Sequence, residues 1–168
     1  MDYLEQTFLI RRLQPYSTNI RKHLVKSPKV YWRDSGLLHA LLKIGRFEDL
    51  LAQPWVGISW EGWVIEQILV ALNNRGVSHE AFFFRTSDRH EADLILRFER
   101  ETWAFEIKLA STIGRTDMQQ LRKITEMMEA TKGILLSRAA QEIEGKGICA
   151  TTIEGALKRL PEKRWITQ

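Results

Sequence analysis

Apolar and polar positions along the second half of the chain predict a mixed α/β domain. A helical pattern of apolar residues begins after Ser59, a predicted N-cap, and runs to about residue 72, and another occupies 115–128. Short apolar runs, some with the two-residue period of a strand, lie between and after these helices. The predicted strands are 81–85, 92–98, 101–109, 133–137 and 148–152, and 154–160 is predicted as a further helix. The order is helix, three strands, helix and strand, followed by one more strand and helix.

The N-terminal part of the chain follows a different pattern. A short helical stretch leads into an extended run at 9–13, a polar turn at 14–19 and a second extended run at 28–32. Helix, strand, polar loop and strand are typical of the end of a winged helix, so we expect its earlier helices in a larger protein upstream. The sequence therefore predicts three regions: a partial winged-helix segment at 1–33, a linking helix and connection at 34–57, and a main domain at 58–168.

The net charge of +4 is concentrated in the N-terminal segment. Residues 1–33 carry seven Lys or Arg against two Asp or Glu, whereas residues 34–168 carry 18 against 19. A basic arm is typical of nucleic-acid contacts, and a solvated surface is the alternative that charge alone leaves open. Cys149, the single cysteine, excludes an internal disulfide and a multi-cysteine metal site. No apolar run approaches the roughly 18 residues of a membrane span, so we expect a cytoplasmic protein.

Acidic side chains and one lysine form a candidate site on two neighbouring strands. Asp93 is predicted on the face of its strand opposite Leu94, and Glu106 and Lys108 on the face of the next strand opposite its apolar residues. A hairpin of these strands would place the two carboxylates side by side. Carboxylates bind Mg²⁺ or Mn²⁺, and a lysine can orient or deprotonate water. Ordinary polar alternation on an exposed strand is the alternative.

Glu61 adds a carboxylate from the predicted helix that precedes these strands. It lies at the N-terminal end of the buried apolar stripe, where an unpaired charge is costly. Glu66 falls off that stripe, so it is predicted to lie at the surface.

The arrangement of these residues resembles the PD-(D/E)XK nuclease superfamily. The resemblance rests on Glu61, on Glu91-Ala92-Asp93 and on Glu106-Ile107-Lys108, in an αβββαβ order, with Ala92 in place of the proline of the motif. More closely, the chain resembles the domain of unknown function at the C-terminus of predicted prokaryotic AAA+ ATPases. The resembling stretches are 11–19, 26–37, 60–61, 85–86, 91–96 and 105–108.

The resemblance implies a fold, a cofactor and a role for each site residue. The fold would be restriction-endonuclease-like, with an ATPase domain and the rest of a winged helix upstream. Asp93 and Glu106 would bind Mg²⁺ or Mn²⁺, Glu61 would assist, and the backbone carbonyl of Ile107 would be a further ligand. Lys108 would act on the nucleophilic water.

Three functions remain open on the sequence. The first is a metal-dependent nuclease that contacts DNA, and the second is a non-catalytic module that docks on the ATPase domain or on a partner protein. The third is a DNA-binding module that uses only the basic arm. The oligomeric state stays open. No Gly-x-x-x-x-Gly-Lys-Ser/Thr motif occurs, so this chain by itself is not expected to hydrolyse ATP.

Overall fold

The computed structural model describes residues 1–16, 27–87 and 90–162, and within these ranges the chain forms six helices and eight strands. The helices are α1 (Asp2–Gln6), α2 (Ser35–Leu41), α3 (Phe47–Leu51), α4 (Val56–Asn74), α5 (Arg115–Met127) and α6 (Ile153–Arg159). The strands are β1 (Ile10–Pro15), β2 (Lys29–Trp32), β3 (Glu80–Arg85), β4 (Glu91–Arg97), β5 (Thr102–Ile107), β6 (Lys132–Leu136), β7 (Ile143–Gly145) and β8 (Ile148–Thr151). No helix in the described ranges is long and apolar enough to cross a membrane.

The strands form one mixed sheet in the order β2-β1-β3-β4-β5-β6-β8-β7. Strands β3, β4 and β5 pair antiparallel, whereas β5, β6 and β8 pair parallel. The parallel pairing of β5 with β6 follows from the crossover through α5, because parallel neighbours cannot be joined by a tight turn. The predicted mixed α/β class and the order of α4, β3, β4, β5, α5 and β6 are confirmed.

Helices cover both faces of the central strands. On one face, buried residues of α4 such as Ile65, Ile68 and Leu72 pack against residues of β4 and β5 such as Leu96 and Phe105. On the other face, α5 packs on the alternate residues of the same strands. Strands that are buried on both faces have nearly continuous apolar sequences, and β4 and β6 show this pattern. The acidic residues of the candidate site are therefore exceptions within an apolar layer.

Helix α4 begins earlier than the sequence predicts. Ser59 was predicted as its N-cap, but Trp55 holds that position without a side-chain capping bond. The apolar residues between them continue the helical pattern, so Ser59 lies inside the first turns, with its Oγ 2.8 Å from Nε2 of His39. By contrast, Asp34 is the N-cap of α2, and its side chain accepts a 2.9 Å hydrogen bond from the Leu37 N–H.

The N-terminal hairpin continues the main sheet. Strands β1 and β2 pair antiparallel, and β1 pairs parallel with β3 through Gln14 and Pro15. Part of the predicted polar turn, residues 17–19, lies outside the described residues. The winged-helix interpretation and the region boundaries at 33 and 57 stay predictions.

Glu66 attaches this hairpin to α4, and its predicted surface position is wrong. Its side chain is 7% exposed and forms ion pairs with Arg11 of β1 and with Arg33, which follows β2. Arg11 donates through both Nε and Nη2, the latter at 3.2 Å, and Arg33 Nε lies 3.3 Å from Oε2. The helix pattern could not show this burial because both partners, one on β1 and one just after β2, are more than 30 residues away in the sequence.

Replacing Glu66 by alanine should destabilise the protein. The change leaves two partly buried guanidinium groups without their shared carboxylate, and losing one partner of a buried ion pair costs about 3 kcal/mol of the free energy of unfolding. Urea denaturation measures the change. The exposed Glu99 in the β4–β5 turn is the matched control, and Glu99→Ala should alter the free energy of unfolding by less than about 0.5 kcal/mol. Equal effects of the two variants would contradict the assignment.

Candidate functional site

A lysine occupies the centre of the acidic residues, and the sequence did not single it out. Nζ of Lys29, the first residue of β2, lies 2.9 Å from Oε1 of Glu61, 2.6 Å from Oε1 of Glu91 and 3.2 Å from Oδ1 of Asp93. The ammonium also lies 5.7 Å from the ring centroid of Phe83. An open cleft of about 280 Å³ borders Lys29, Glu61 and Glu91, so the group is reachable from solvent.

A β-bulge turns Asp93 toward this lysine. Phe83 of β3 faces two residues of β4, Asp93 and Leu94, where a regular ladder would oppose one residue to one. The predicted orientation, with Asp93 on the face opposite Leu94, is therefore wrong, because the bulge turns both toward α4. Oδ2 of Asp93 accepts a 2.9 Å hydrogen bond from the backbone N–H of Ile107, at the end of β5. The Asp93 carboxylate thus joins β4, β5 and the N-terminal hairpin.

A close approach of β2 to α4 places Glu61 in the site. The hydroxyl of Tyr31 donates a hydrogen bond to Oε1 of Glu61, the same oxygen that Lys29 contacts. Gly62 permits this approach, since a Cβ atom there would lie 3.1 Å from Cδ1 of Tyr31. The alternation of Lys29 and Tyr31 along β2, with the small residue after Glu61, is the sequence signal that could have revealed the contact.

Glu106 and Lys108 lie toward α5, as predicted from the alternation of β5. Nζ of Lys108 lies 2.5 Å from Oδ1 of Asp117 on α5 and 4.0 Å from Oε1 of Glu106. Asp117 also accepts a 2.8 Å hydrogen bond from the Gly114 N–H at the start of α5. These two hydrogen bonds, that of Lys108 first, lower the pKa of Asp117. The sequence did not single out Asp117, whose link to Lys108 depends on how α5 packs on the sheet.

The electrostatics show an excess of negative charge. Burial, and then the charge of Glu61, raise the pKa of Asp93 above its ordinary range in spite of Lys29. Burial, and then the charge of Asp93, raise the pKa of Glu106 to about 8. Burial alone would lower the pKa of Lys29, but the charges of Asp93 and Glu61 outweigh it and hold that pKa above its ordinary value. The pKa values of the two carboxyl groups are raised although the Lys29 ammonium keeps its charge. The negative charge of the site is therefore not fully neutralised by its basic side chains.

The structure therefore brings Glu61 and Asp93 onto one ammonium and makes Glu106 an electrostatic neighbour of Asp93. Ile107 contributes its N–H, and a role of its carbonyl as a metal ligand stays a prediction. Within residues 1–16, 27–87 and 90–162, no group of three or more His, Cys, Asp or Glu side chains has the arrangement of a metal site. We call the set Glu61, Glu91, Asp93, Glu106 and Asp117 the acidic cluster.

The chain matches two families of domains of unknown function. The family described as domain of unknown function DUF4143 matches residues 56–154, which contain the whole acidic cluster. A second one, described as domain of unknown function DUF8612, matches residues 1–48, which contain Lys29 and Tyr31. The site is thus built from both matched segments.

Two curated relatives are uncharacterized mycobacterial proteins. One from Mycobacterium bovis and one from Mycobacterium tuberculosis are each 38% identical to this chain over 112 residues, which is 67% of the chain. The match covers 24% of each relative, so the chain spans about a quarter of their length. No solved structure shows a significant match.

The raised pKa of Glu106 predicts that the metal-free protein loses stability as the pH rises. A carboxyl group with a higher pKa in the folded protein than in the unfolded chain favours folding at pH values below its unfolded pKa, where it is protonated in both states. This contribution disappears as the pH rises from 4.5 to about 8, because the group must then ionise in its buried position. In EDTA, the free energy of unfolding should fall by about 2 kcal/mol across this window.

Glu106→Gln, which stays neutral, should flatten this profile. Glu126→Gln, an exposed substitution on α5, should leave the profile as steep as that of the wild type. Chemical denaturation at a series of pH values measures the three slopes. A Glu106→Gln slope equal to the wild-type slope would contradict the raised pKa.

Proposed function

This chain belongs to the DUF4143 family of domains of unknown function, and we propose that it carries a divalent-metal site for the hydrolysis of phosphodiester bonds in DNA. The observation that carries the proposal is the charge of the acidic cluster. Its five carboxylates are contacted by three basic side chains, Lys29, Arg85 and Lys108, which leaves two negative charges in excess when all are ionised. Protons or one divalent cation can supply the missing charge.

The donors suit Mg²⁺ or Mn²⁺. Both cations prefer carboxylate and carbonyl oxygens, and the cluster offers these without a sulfur or imidazole ligand. Asp93 and Glu106 would hold the cation, with Glu61 and the Ile107 carbonyl as further ligands. When bound, such a cation would polarise the phosphodiester and lower the pKa of a bound water.

Lys108 is proposed to position the nucleophilic water and to stabilise charge on the phosphate. Its ammonium donates to Asp117 at 2.5 Å, which fixes Nζ beside Glu106. An ammonium held this way is a hydrogen-bond donor, so its role is to orient water and offset negative charge as the phosphorus becomes five-coordinate. Asp117 acts through Lys108 as a positioning residue.

A restriction-endonuclease-like fold and an ATPase partner domain are part of the proposal. The order of α4, β3, β4, β5, α5 and β6 and the position of the acids at the end of the β4–β5 hairpin support the fold. The relatives are about four times longer than the matched part, which is consistent with an ATPase domain and a fuller winged helix in such proteins. We propose a cytoplasmic location, where DNA is accessible in a prokaryote.

Cleavage of DNA tests the proposal. The protein, incubated with plasmid or branched DNA, should cleave it with Mn²⁺ or Mg²⁺ and not with EDTA. Lys108→Met should slow cleavage by about 100-fold or more because it removes the donor to the water. Lys123→Met, which removes an exposed lysine of α5, is the matched control and should cleave at the wild-type rate. No cleavage by the wild type, or equal cleavage by the Lys108 variant, would overturn the enzymatic function.

A second candidate function, protein docking, is favoured by exposed apolar side chains. Leu41 of α2, Phe47 of α3 and Ile58 of α4 are each at least 60% exposed. Beside them, a cavity of about 330 Å³ is lined mainly by apolar residues, among them Val30 and Trp55. Contiguous exposed apolar surface is typical of interaction sites. A chain that cleaves no DNA, but whose complex with its ATPase domain is lost in Leu41→Glu, would favour this function.

A further inference from the structure

We infer that Lys29 is a built-in counter-ion that competes with a divalent cation for the acidic cluster and weakens its binding, an inference that rests on the proposed metal dependence. The position of the Lys29 ammonium is not explained by the roles proposed above for the site residues. A site prepared for a cation would keep the space between its carboxylates free, and here an ammonium fills it.

The acidic cluster provides a carboxylate for each N–H donor of the Lys29 ammonium. An ammonium has three N–H donors, and Nζ has one carboxylate each from Glu61, Glu91 and Asp93 within 3.2 Å. The side chain is 21% exposed, so these contacts are partly shielded from water and persist against solvent better than surface pairs do. The lysine is therefore part of the cluster and is not a loose surface group.

Lys29 and a divalent cation would compete for the same carboxylate oxygens. Oδ1 of Asp93 faces Nζ at 3.2 Å, while Oδ2 accepts the Ile107 N–H. Oε1 of Glu61 accepts from both Lys29 and Tyr31. A cation about 2.0–2.6 Å from these oxygens would repel the ammonium, so the two compete for the site.

The N-terminal hairpin supplies the counter-ion of the acidic cluster. Lys29 belongs to the segment matched by one domain family, whereas the acids belong to the segment matched by the other. The hairpin joins the main sheet through the short pairing of Gln14 and Pro15 with β3, and Pro15 has no N–H to donate. The Tyr16 N–H also donates a 2.7 Å hydrogen bond to the Phe83 carbonyl. Leu13 and Tyr31 of the hairpin are buried in the core with α4, and ion pairs to Glu61 and Glu66 attach the hairpin further.

Titration of Mn²⁺ into metal-free protein, followed by calorimetry, tests the inference. Lys29→Met keeps the length of the side chain and removes its charge, so it should bind Mn²⁺ at least about 10-fold more tightly than the wild type. Lys29→Arg, which keeps the charge, should bind as weakly as the wild type. Lys123→Met is the control for loss of a lysine elsewhere and should match the wild type.

Thermal unfolding gives a second readout that does not depend on cleavage. In EDTA, Lys29→Met should melt below the wild type because the acids lose their counter-ion, and Mn²⁺ should raise its Tm more than that of the wild type. Adding Asp93→Asn to Lys29→Met should abolish the gain in Mn²⁺ affinity, which locates the ion at the cluster.

The outcomes separate the inference from the proposed function. Equal, measurable Mn²⁺ affinity of the wild type and Lys29→Met would overturn the role of Lys29 and leave the metal site standing. No Mn²⁺ binding by either protein, with Lys29→Met shown by circular dichroism to be folded, would overturn the metal site and this inference with it.

Discussion

The structure depends on how carboxylates within an apolar α/β layer are neutralised. Burial disfavours an ionised carboxylate strongly unless a counter-charge lies near, and burial raises the pKa values of both Asp93 and Glu106 in the acidic cluster. One ammonium comes from Lys29 on the N-terminal hairpin and another from Lys108 after β5. The basic side chains do not balance the acids, so the cluster carries an excess of negative charge. This excess of negative charge is the physical basis of the proposed function.

Local backbone geometry places these charged side chains at one site. The bulge in β4 turns Asp93 toward α4. The Asp93 carboxylate accepts a hydrogen bond from the Ile107 N–H, where β4 and β5 stop pairing. Gly62 lets Tyr31 approach α4, so that β2 brings a hydroxyl and an ammonium to Glu61. A second ion-pair group at Glu66 fixes the same hairpin farther along α4. The hairpin is thus both a structural edge of the sheet and a component of the site.

Sequence patterns predicted the elements well and the long-range contacts poorly. The two-residue alternation of β5 placed Glu106 and Lys108 on the correct face because a regular strand obeys that period. The same rule failed at Asp93 because a bulge changes the period, and neither Asp93 nor Leu94 carries a signal for it. Glu66 was misplaced and Lys29 was missed for one reason: their partners lie on other elements, at sequence separations that no local periodicity contains. Ser59 was misplaced because apolar residues extend the helix beyond a polar cap candidate.

The location of a bound ion tests this account most directly. We would record anomalous diffraction at the manganese edge from crystals soaked in Mn²⁺ and compare them with crystals kept in EDTA. The account predicts one anomalous peak between the carboxylates of Asp93 and Glu106, with the Lys29 side chain withdrawn from Glu61 and Glu91 in the soaked crystal. A crystal without a peak at the cluster, with Lys29 still on its three carboxylates at saturating Mn²⁺, would contradict it.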